Sequence, residues 1–362
     1  MKRVMIATGG TGGHIFPALA VAQALRAEHP GLEALFVGGE GIEERLAKEA
    51  GLQFAGLPVR GVLGRGAKSV SAVGRMGVSL IAASRVVHRF KPQVAAGFGG
   101  YASVCPVIAA WMLGVPTAVH EQNSVPGATN RLLGRLAKRI MVTYPAPVDA
   151  FAPGKVLFTG NPVRPAIAAL CAQNPTRGQT RNILILGGSQ GARAVNRLVA
   201  GAWPRLETLG ANLWHQTGEA DFAETRALYG ENAKAPRVQI APFITDMAKA
   251  YSWADLVIAR AGATTLAEIT CAGLPSVLIP FPYATHDHQT VNADSLVRIN
   301  AAVALPEKEL TVDQLTETVS GLLADPVKMQ DMGRAAKSLA KPDAARVIAK
   351  ELTRLAALKS GE

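Results

Sequence analysis

The feature that most limits the possible folds of this sequence is an apolar strand followed at once by a glycine-rich turn, and it occurs twice. The first copy is Arg3-Val-Met-Ile-Ala7, which leads into Gly9-Gly-Thr-Gly-Gly-His14. The second is Asn182-Ile-Leu-Ile-Leu186, which leads into Gly187-Gly-Ser-Gln-Gly-Ala192. Such a turn lets a strand pass directly into a helix whose first N–H groups face an anionic ligand. The repeat predicts an α/β protein with two Rossmann-like, doubly wound domains.

Apolar strands separated by helix-length segments continue through both halves of the chain, whose 362 residues suit two domains of ordinary size. A strand–helix–strand order favours parallel pairing, so each half is predicted to form a parallel sheet. The predicted strands are Arg3–Ala7, 33–37, 94–96, 116–119 and 139–143 in the first half, and Asn182–Leu186, 213–216, 238–241, 255–259 and 276–280 in the second.

A stretch rich in proline and glycine, Gly160-Asn-Pro-Val-Arg-Pro165, lies where the first pattern stops and the second begins, and we interpret it as a hinge. The predicted domains are 1–161 and 166–340, followed by a C-terminal helix at about 343–362. Ligands of open parallel sheets bind beyond the carboxyl ends of the strands. The sequence therefore predicts a functional site in a cleft between the domains.

The positive charge of the chain is concentrated in its first half. Residues 1–161 contain 17 Lys and Arg against 8 Asp and Glu, whereas residues 162–362 contain 21 against 19. No acidic residue occurs between Glu49 and Glu121. A surface of this kind attracts polyanions or an anionic bilayer.

The segment 70–91 is predicted to be a helix with one packing face and one basic, partly apolar face. An apolar stripe at helical spacing includes Leu80, while Ile81 lies off that stripe. Such a helix suits a membrane surface, and a nearby tryptophan can anchor it; the alternative is a helix packed among its neighbours with solvated arginines. The candidate docking residues are Arg75, Leu80, Ile81, Arg85, Arg89 and Trp111.

Several other classes of protein are disfavoured by motifs that are missing. The three cysteines lack metal-ligand spacing, and no segment is apolar enough to be predicted as a transmembrane helix. The first glycine-rich turn lacks the GxGxxG spacing of dinucleotide-dependent dehydrogenases. No Asp-x-Asp occurs, so we expect a sugar diphosphate to be bound without an obligatory metal ion, and we expect no other cofactor.

Two polar segments in the first half are candidates for chemistry. His14 ends the first glycine-rich turn, where an imidazole can take a proton from a hydroxyl group, or can simply bond to the backbone at the start of a helix. The residues His120-Glu-Gln-Asn123 directly follow an apolar strand. They are placed either to contact a ligand or only to cap and turn the chain.

The second half contains three further candidates. Ser189 lies in the second glycine-rich turn and suits a phosphate, or it serves as a helix N-cap. Glu268 ends Arg260-Ala-Gly-Ala-Thr-Thr-Leu-Ala-Glu268 and suits two sugar hydroxyls, but Thr265 and Glu268 also fit a capping box. The loop around His286 and His288 is expected to face solvent or substrate more readily than a metal ion.

Taken in order along the chain, these motifs resemble the MurG family, bacterial transferases that move N-acetylglucosamine (GlcNAc) from UDP-GlcNAc to undecaprenyl-diphospho-muramoylpeptide (lipid I). The motifs that carry the resemblance are GGTGGH at 9–14, FGGYAS at 98–103, HEQNSVPG at 120–127, GNPVR at 160–164, GGSQGA at 187–192, RAGATTLAE at 260–268 and HQ at 288–289. They cover nearly the whole chain.

The resemblance implies a GT-B fold, inversion at the anomeric carbon, and a C-terminal helix that returns to the first domain. It places the donor mainly on the second domain and the acceptor on the first. It implies donor contacts from Thr11, Gly12, Gly13, Asn123, Arg164, Ser189, Ile244, Ala263, Thr264, Thr265, Leu266, Ala267, Glu268 and Gln289, and acceptor contacts from Tyr101, Glu121 and Asn130. His14 becomes the candidate general base, and the partners implied are UDP-GlcNAc, lipid I and anionic lipids on the cytoplasmic face of the inner membrane.

Two other functions stay open at this stage. A different GT-B enzyme, such as a glycolipid glycosyltransferase or a UDP-GlcNAc 2-epimerase, would have a similar architecture. A basic nucleic-acid-binding protein would explain the charge, but the basic stretch lacks the interleaved aromatic residues of such proteins, and we expect no nucleic acid partner.

Overall fold

The computed structural model describes residues 1–39, 41–58, 69–145, 150–173, 180–188 and 191–360, with the side chains of 69–75 and 359–360 outside that description. The chain forms two compact units. The first contains Met1–Arg164 together with Asp343–Glu362, and the second contains Pro165–Pro342. The boundary between them falls inside the proline-rich stretch that we interpret as a hinge.

The first unit is a seven-stranded parallel sheet with helices on its faces. Its strands are β1 (Arg3–Ala7), β2 (Glu33–Gly38), β3 (Gln53–Gly56), β4 (Val94–Gly97), β5 (Thr117–Glu121), β6 (Arg139–Val142) and β7 (Val156–Phe158), and its helices are α1 (Gly12–Glu28), α2 (Ile42–Glu49), α3 (Ser69–Phe90), α4 (Val104–Met112), α5 (Ala128–Leu136) and the C-terminal α14 (Ala344–Ser360). The strand order β3-β2-β1-β4-β5-β6-β7 reverses direction between β1 and β4. Ligands of doubly wound sheets bind at such a reversal.

The second unit repeats this plan with a six-stranded parallel sheet of order β10-β9-β8-β11-β12-β13. Its strands are β8 (Asn182–Leu186), β9 (Asn212–Gln216), β10 (Val238–Ala241), β11 (Leu256–Ala259), β12 (Ser276–Leu278) and β13 (Ala302–Ala304), and its helices are α6 (Pro165–Ala168), α7 (Arg193–Thr208), α8 (Phe222–Tyr229), α9 (Met247–Trp253), α10 (Ala263–Ala272), α11 (His288–Val297), α12 (Val312–Leu323) and α13 (Pro326–Ser338). The reversal of this sheet lies between β8 and β11.

The central strands β1 and β8 contain continuous apolar runs because helices cover both faces of each sheet. Four of the five residues of β1 and all five of β8 are buried. This burial on two sides produces the continuous apolar runs seen in the sequence, where a half-exposed strand would alternate. The predicted parallel α/β class and all ten predicted strands are therefore confirmed.

The C-terminal helix belongs to the core of the first unit. Ile348, Leu352 and Leu355 of α14 are buried in the cluster that contains Val21 and Leu25 of α1. The guanidinium of Arg139 on β6 lies 2.7 Å from the carboxylate of Glu351 on the same helix, and this half-buried ion pair fixes the helix beside the sheet.

Helix α3 packs one face on the sheet and leaves the other exposed. Ala83 and Val87 are buried, and Leu80 packs on the same cluster because it lies one turn before Ala83. Leu80 is therefore not on the exposed face, contrary to our expectation for a docking residue. Ile81 is 57% exposed, and Arg85 and Arg89 are also exposed.

We predict that Leu352→Ala lowers the free energy of unfolding of the first unit by about 2–5 kcal/mol, because it leaves a cavity between α14 and α1. Leu358→Ala on the same helix is the matched control, since Leu358 is 53% exposed and its truncation should cost less than about 0.5 kcal/mol. Urea unfolding followed by circular dichroism measures both changes. Equal losses in the two variants would show that α14 is not part of the core.

Candidate active site

Most of the predicted site residues of the first unit lie at the carboxyl ends of β1, β4 and β5, which are neighbours in the sheet. The turn Gly9 to His14 follows β1, the turn Phe98 to Tyr101 follows β4, and the segment 122–127 follows β5. Parallel pairing brings these three segments to one edge, at the reversal of the strand order. The sheet therefore assembles residues that are more than 100 positions apart in the sequence.

Two of these turns touch through their backbones. A Cβ atom on Gly100 would overlap the carbonyl group of Gly9, and Gly100 has a φ of +75°, which favours glycine. A Cβ atom on Gly9 would lie 2.7 Å from the Cβ of Ala102. The glycines of both motifs are thus required for the close approach of the two turns.

His14 lies in the first turn of α1 and its ring is half-buried. Its Nδ1 atom is 2.9 Å from Oε1 of Gln122. A Cβ atom on Gly99 would lie 3.0 Å from Cε1 and Nδ1 of the same ring, so the imidazole packs against the Gly99 backbone. The ring is held by one hydrogen bond and one steric contact.

A chain of hydrogen bonds continues from Gln122 into the interior. Its Nε2 donates to the carbonyl oxygen of Phe98 at 2.8 Å and to Nδ1 of His120 at 3.2 Å. Nε2 of His120 donates to the carbonyl oxygen of Gly160 at 3.0 Å. Burial of His120, together with the nearby His14, lowers the pKa of His120 to about 4 despite the bond to Gly160.

Glu121 and Asn130, predicted to contact the acceptor, are buried and hold the segment 122–127 in place. The Glu121 carboxylate accepts from the N–H and the amide of Asn123, from the N–H of Gly127, and from the amide of Asn130. Four donors occupy both of its oxygens. These two side chains thus shape the loop from behind.

Thr11, Tyr101 and Asn123 are more accessible. Thr11 is the exposed N-cap residue of α1, and Tyr101 is exposed at the end of the second turn. The guanidinium carbon of Arg164 lies 4.9 Å from the ring centroid of Phe16, two residues after His14 on α1. Arg164 is therefore placed beside the same helix that carries the candidate base.

In the second unit, the predicted donor residues lie at the carboxyl ends of β10 and β11 and after β12. Ile244 is buried, and its N–H donates to Oε1 of Gln216 at the end of β9. Gly188 and Gly191 both have positive φ in the second glycine-rich turn. Ser189 lies outside the described residues, and the N-cap of the following helix α7 is Ala192.

Helix α10 begins at Ala263, with Gly262 as its N-cap. The alternative capping box at Thr265 and Glu268 is wrong, because Thr265 already lies inside the helix. Glu268 is buried, and the hydroxyl of Tyr251 donates to its Oε2 at 2.9 Å. Ala263 to Thr265 form the first turn, whose N–H groups suit an anionic or electron-rich ligand.

The loop before α11 combines an ordered glutamine with an unusual backbone. Oε1 of Gln289 accepts from the N–H of Phe281 at 3.0 Å. His286 and Asp287 have φ of +54° and +51°, a conformation that costs free energy in residues other than glycine. Nδ1 of His288 donates to the carbonyl oxygen of Thr285, which assigns His288 a role in this turn.

Within the described ranges, no group of three or more His, Cys, Asp and Glu side chains is arranged to hold a metal ion, and no helix is both long and apolar enough to span a bilayer. Metal-independent activity stays a prediction.

Three residues that contact the predicted site were missed by the sequence analysis as single candidates: Gln122, Tyr251 and Gln216. Gln122 lies inside a motif that was noticed, so its position gave a signal. Tyr251 precedes Glu268 by 17 residues in an ordinary apolar helix, and no pattern in the sequence pointed to their contact.

The lowered pKa of His120 predicts a loss of stability in acid. The ordinary pKa of histidine is 6.5 and that of folded His120 is about 4, so between these values the unfolded chain binds a proton that the folded chain does not. The free energy of unfolding should fall as pH is lowered through this window, by up to about 1.4 kcal/mol per pH unit. Urea unfolding at stepped pH measures the slope.

His120→Gln is the control, because glutamine keeps a donor but does not titrate. Its stability should change less steeply with pH over this window than that of the wild type. Identical slopes would mean that folding does not change the pKa of His120. Buried His215, whose pKa is lowered to about 3, should produce the same trend in the second unit.

Comparison with known proteins supports the resemblance. A family model for the glycosyltransferase family 28 N-terminal domain matches residues 4–142, and one for the C-terminal domain of that family matches residues 182–348. The chain is 51% identical, over 99% of both sequences, to the "UDP-N-acetylglucosamine--N-acetylmuramyl-(pentapeptide) pyrophosphoryl-undecaprenol N-acetylglucosamine transferase" of Solidesulfovibrio magneticus.

Solved structures agree on the fold. The crystal structure of MurG from Acinetobacter baumannii is 34% identical, covers 98% of this chain and 100% of its own, and superposes with a TM-score of 0.77. A UDP-GlcNAc 2-epimerase from Neisseria meningitidis reaches a TM-score of 0.69 over 97% of this chain and 100% of its own, but at 13% identity it shows a shared fold alone. The predicted GT-B class is confirmed, and the chain belongs to glycosyltransferase family 28 and, within it, to the MurG family of N-acetylglucosaminyltransferases.

Proposed function

We propose that this chain transfers GlcNAc from UDP-GlcNAc to the muramoyl 4-hydroxyl of lipid I and so makes lipid II for peptidoglycan. The observation that carries the proposal is the 51% identity over 99% of both chains to a transferase of that name. The arrangement of the site supports it, because the first unit offers a half-buried imidazole in the first turn of α1 and the second offers a buried carboxylate in the second turn of α10.

The proposed reaction is a direct displacement. The acceptor hydroxyl attacks the anomeric carbon, its proton passes to His14, and the bond from that carbon to the UDP oxygen breaks with inversion. Nδ1 of His14 is hydrogen-bonded to Gln122, so Nε2 is the atom assigned to take the proton. Arg164 and the N–H groups of the glycine-rich turns are assigned to the charge that develops on UDP.

Most of the donor contacts are assigned to the second unit. We place the ribose at Glu268, a buried carboxylate that is oriented by the hydrogen bond from Tyr251 to its Oε2. Uracil is placed against Ile244, whose position is fixed by the bond to Gln216. The first turn of α10, Ala263 to Ala267, and Gln289 are assigned to the remainder of the donor.

The acceptor is assigned to the first unit, with direct contact from Tyr101. Glu121 and Asn130 are proposed to act through the loop 122–127, because both are buried, Glu121 is bonded to that loop and Asn130 donates to Glu121. Asn123, which is hydrogen-bonded to Glu121, is assigned to the donor.

The exposed face of α3 and the neighbouring end of α4 are proposed as a docking surface for the membrane that holds lipid I. We define this docking surface as Val78, Ile81, Arg85 and Arg89 of α3 with Trp111 and Met112 of α4. Its apolar members are between 48% and 61% exposed. Arginines next to exposed aliphatic and tryptophan side chains suit the anionic cytoplasmic leaflet, where the protein would be peripheral. The side chain of Arg75 lies outside the described residues.

Transfer of radiolabel from UDP-GlcNAc to a lipid I analogue, in the presence of EDTA, tests the proposed reaction. His14→Ala should lower kcat by about 100- to 10,000-fold through loss of the base. Glu268→Ala should lower kcat/KM for UDP-GlcNAc by about 10- to 100-fold through loss of a charged hydrogen bond.

The matched controls are His29→Ala, at the other end of α1, and Glu317→Ala, exposed on α12; both should retain wild-type activity. Absence of acceptor-dependent label, even with Mg²⁺ restored, would contradict the proposal. Formation of an epimerised UDP-sugar without acceptor would favour the epimerase alternative.

Vesicle binding tests the docking surface. Arg85→Gln with Arg89→Gln removes two charges, which should weaken binding to vesicles that contain phosphatidylglycerol by about 2 kcal/mol, or roughly 30-fold. The control is Arg45→Gln with Lys48→Gln, which makes the same charge change on exposed positions of α2. Equal binding to neutral and anionic vesicles, or an equal loss in the control, would overturn this part of the proposal.

A further inference from the structure

We propose that Gln122 is a positioning residue that holds His14 in the tautomer whose Nε2 atom is free to accept a proton. The inference rests on the proposed role of His14 as the base. It concerns a residue with no contact to either substrate in the scheme above. The argument follows the hydrogen bonds outward from the interior, because each one dictates the direction of the next.

The amide of Gln122 has a single allowed orientation. One of its two ends lies 2.8 Å from the carbonyl oxygen of Phe98, which can only accept. The oxygen of the amide at that place would be repelled, so the NH₂ group must face Phe98. Oε1 must then face His14, and the nearly complete burial of Gln122 leaves little water to compensate a reversed amide.

His120 reinforces this orientation. The carbonyl oxygen of Gly160 lies 3.0 Å from Nε2 of His120 and requires that nitrogen to carry a proton. The His120 ring is fully buried and its pKa is about 4, so it is neutral at neutral pH and its Nδ1 can only accept. The second N–H of Gln122 donates to that nitrogen at 3.2 Å.

The consequence for His14 follows directly. Oε1 of Gln122 is an acceptor, so Nδ1 of His14 must donate to it across the 2.9 Å contact. In a neutral imidazole only one nitrogen carries hydrogen, and the lone pair is therefore on Nε2. Free histidine in water prefers the opposite tautomer. The relay from Gly160 through His120 and Gln122 thus selects the form that can act as a base at Nε2.

The same bond favours the proton transfer itself. When Nε2 takes the acceptor proton, the ring becomes a cation and its Nδ1–H bond to Oε1 becomes charge-assisted and stronger. An amide is a poor partner for a catalytic histidine if its nitrogen faces the ring, since that stabilises the wrong tautomer, as Asp→Asn changes in Ser-His-Asp triads show. Here the carbonyl oxygen of Phe98 prevents that orientation.

The first test observes the tautomer without any substrate. Nitrogen-15 NMR of the histidine side chains in the full-length protein, assigned with His14→Ala, distinguishes a protonated from an unprotonated ring nitrogen. At a pH where His14 is neutral, we expect Nδ1 to be protonated and Nε2 to be bare. A protonated Nε2, or the mixture found in free histidine, would overturn the proposal even if His14 proves to be the base.

The second test removes the amide. Gln122→Met keeps the length of the side chain and should lower kcat about 10- to 100-fold while KM for UDP-GlcNAc changes less than about twofold, with the His14 signals moving toward the protonated-Nε2 form. Gln53→Met, the same change at an exposed position of β3, should have no effect. Wild-type kcat in folded Gln122→Met would overturn the proposal. If that variant does not fold, the wild-type spectrum alone decides.

Discussion

The candidate active site of the first unit depends on the close backbone approach of the turns after β1 and β4. A side chain on Gly100 would overlap the carbonyl of Gly9, so the two turns can touch only where glycine is present. Their contact fixes the start of α1, on which His14 lies, and brings the Gly99 backbone against the His14 ring. The parallel pairing of β1 with β4 makes this approach possible, because it brings the carboxyl ends of both strands to the same edge.

The buried polar groups around this contact are either neutral or satisfied by hydrogen bonds. The innermost groups, His120 and Gln122, are neutral and fully hydrogen-bonded, as the cost of desolvating an ion requires. The buried carboxylate that ends β5, Glu121, accepts three hydrogen bonds from its own loop and one from Asn130 on α5. The only ionisable member of the relay that reaches solvent is His14, where a change of charge is needed for the proposed reaction.

The sequence predicted the sheets because their central strands are continuous apolar runs, and it missed the strands that are short and lie at edges. β3, β7 and β13 have three or four residues each and no distinctive pattern. The spacing of apolar residues predicted that α3 is amphipathic, but it did not predict which residues contact the sheet. Leu80 was assigned to the exposed surface, whereas it packs on the buried cluster. Gln122 and Tyr251 act through partners distant in the sequence, and only the folded chain brings them together.

Each of the two units opens with a strand, a glycine-rich turn and a helix, but the side chains at the start of that helix differ. In the first, the helix begins directly after the glycines, and its third residue is the half-buried His14. In the second, α7 begins at Arg193, whose Nε is 3.3 Å from the carboxylate of Asp221 and 3.5 Å from that of Glu224. A guanidinium is already protonated at neutral pH and cannot act as a base. Among the described residues at the starts of these two helices, only His14 can accept a proton at neutral pH. That difference supports the proposed division, in which the first unit performs the chemistry and the second binds the donor.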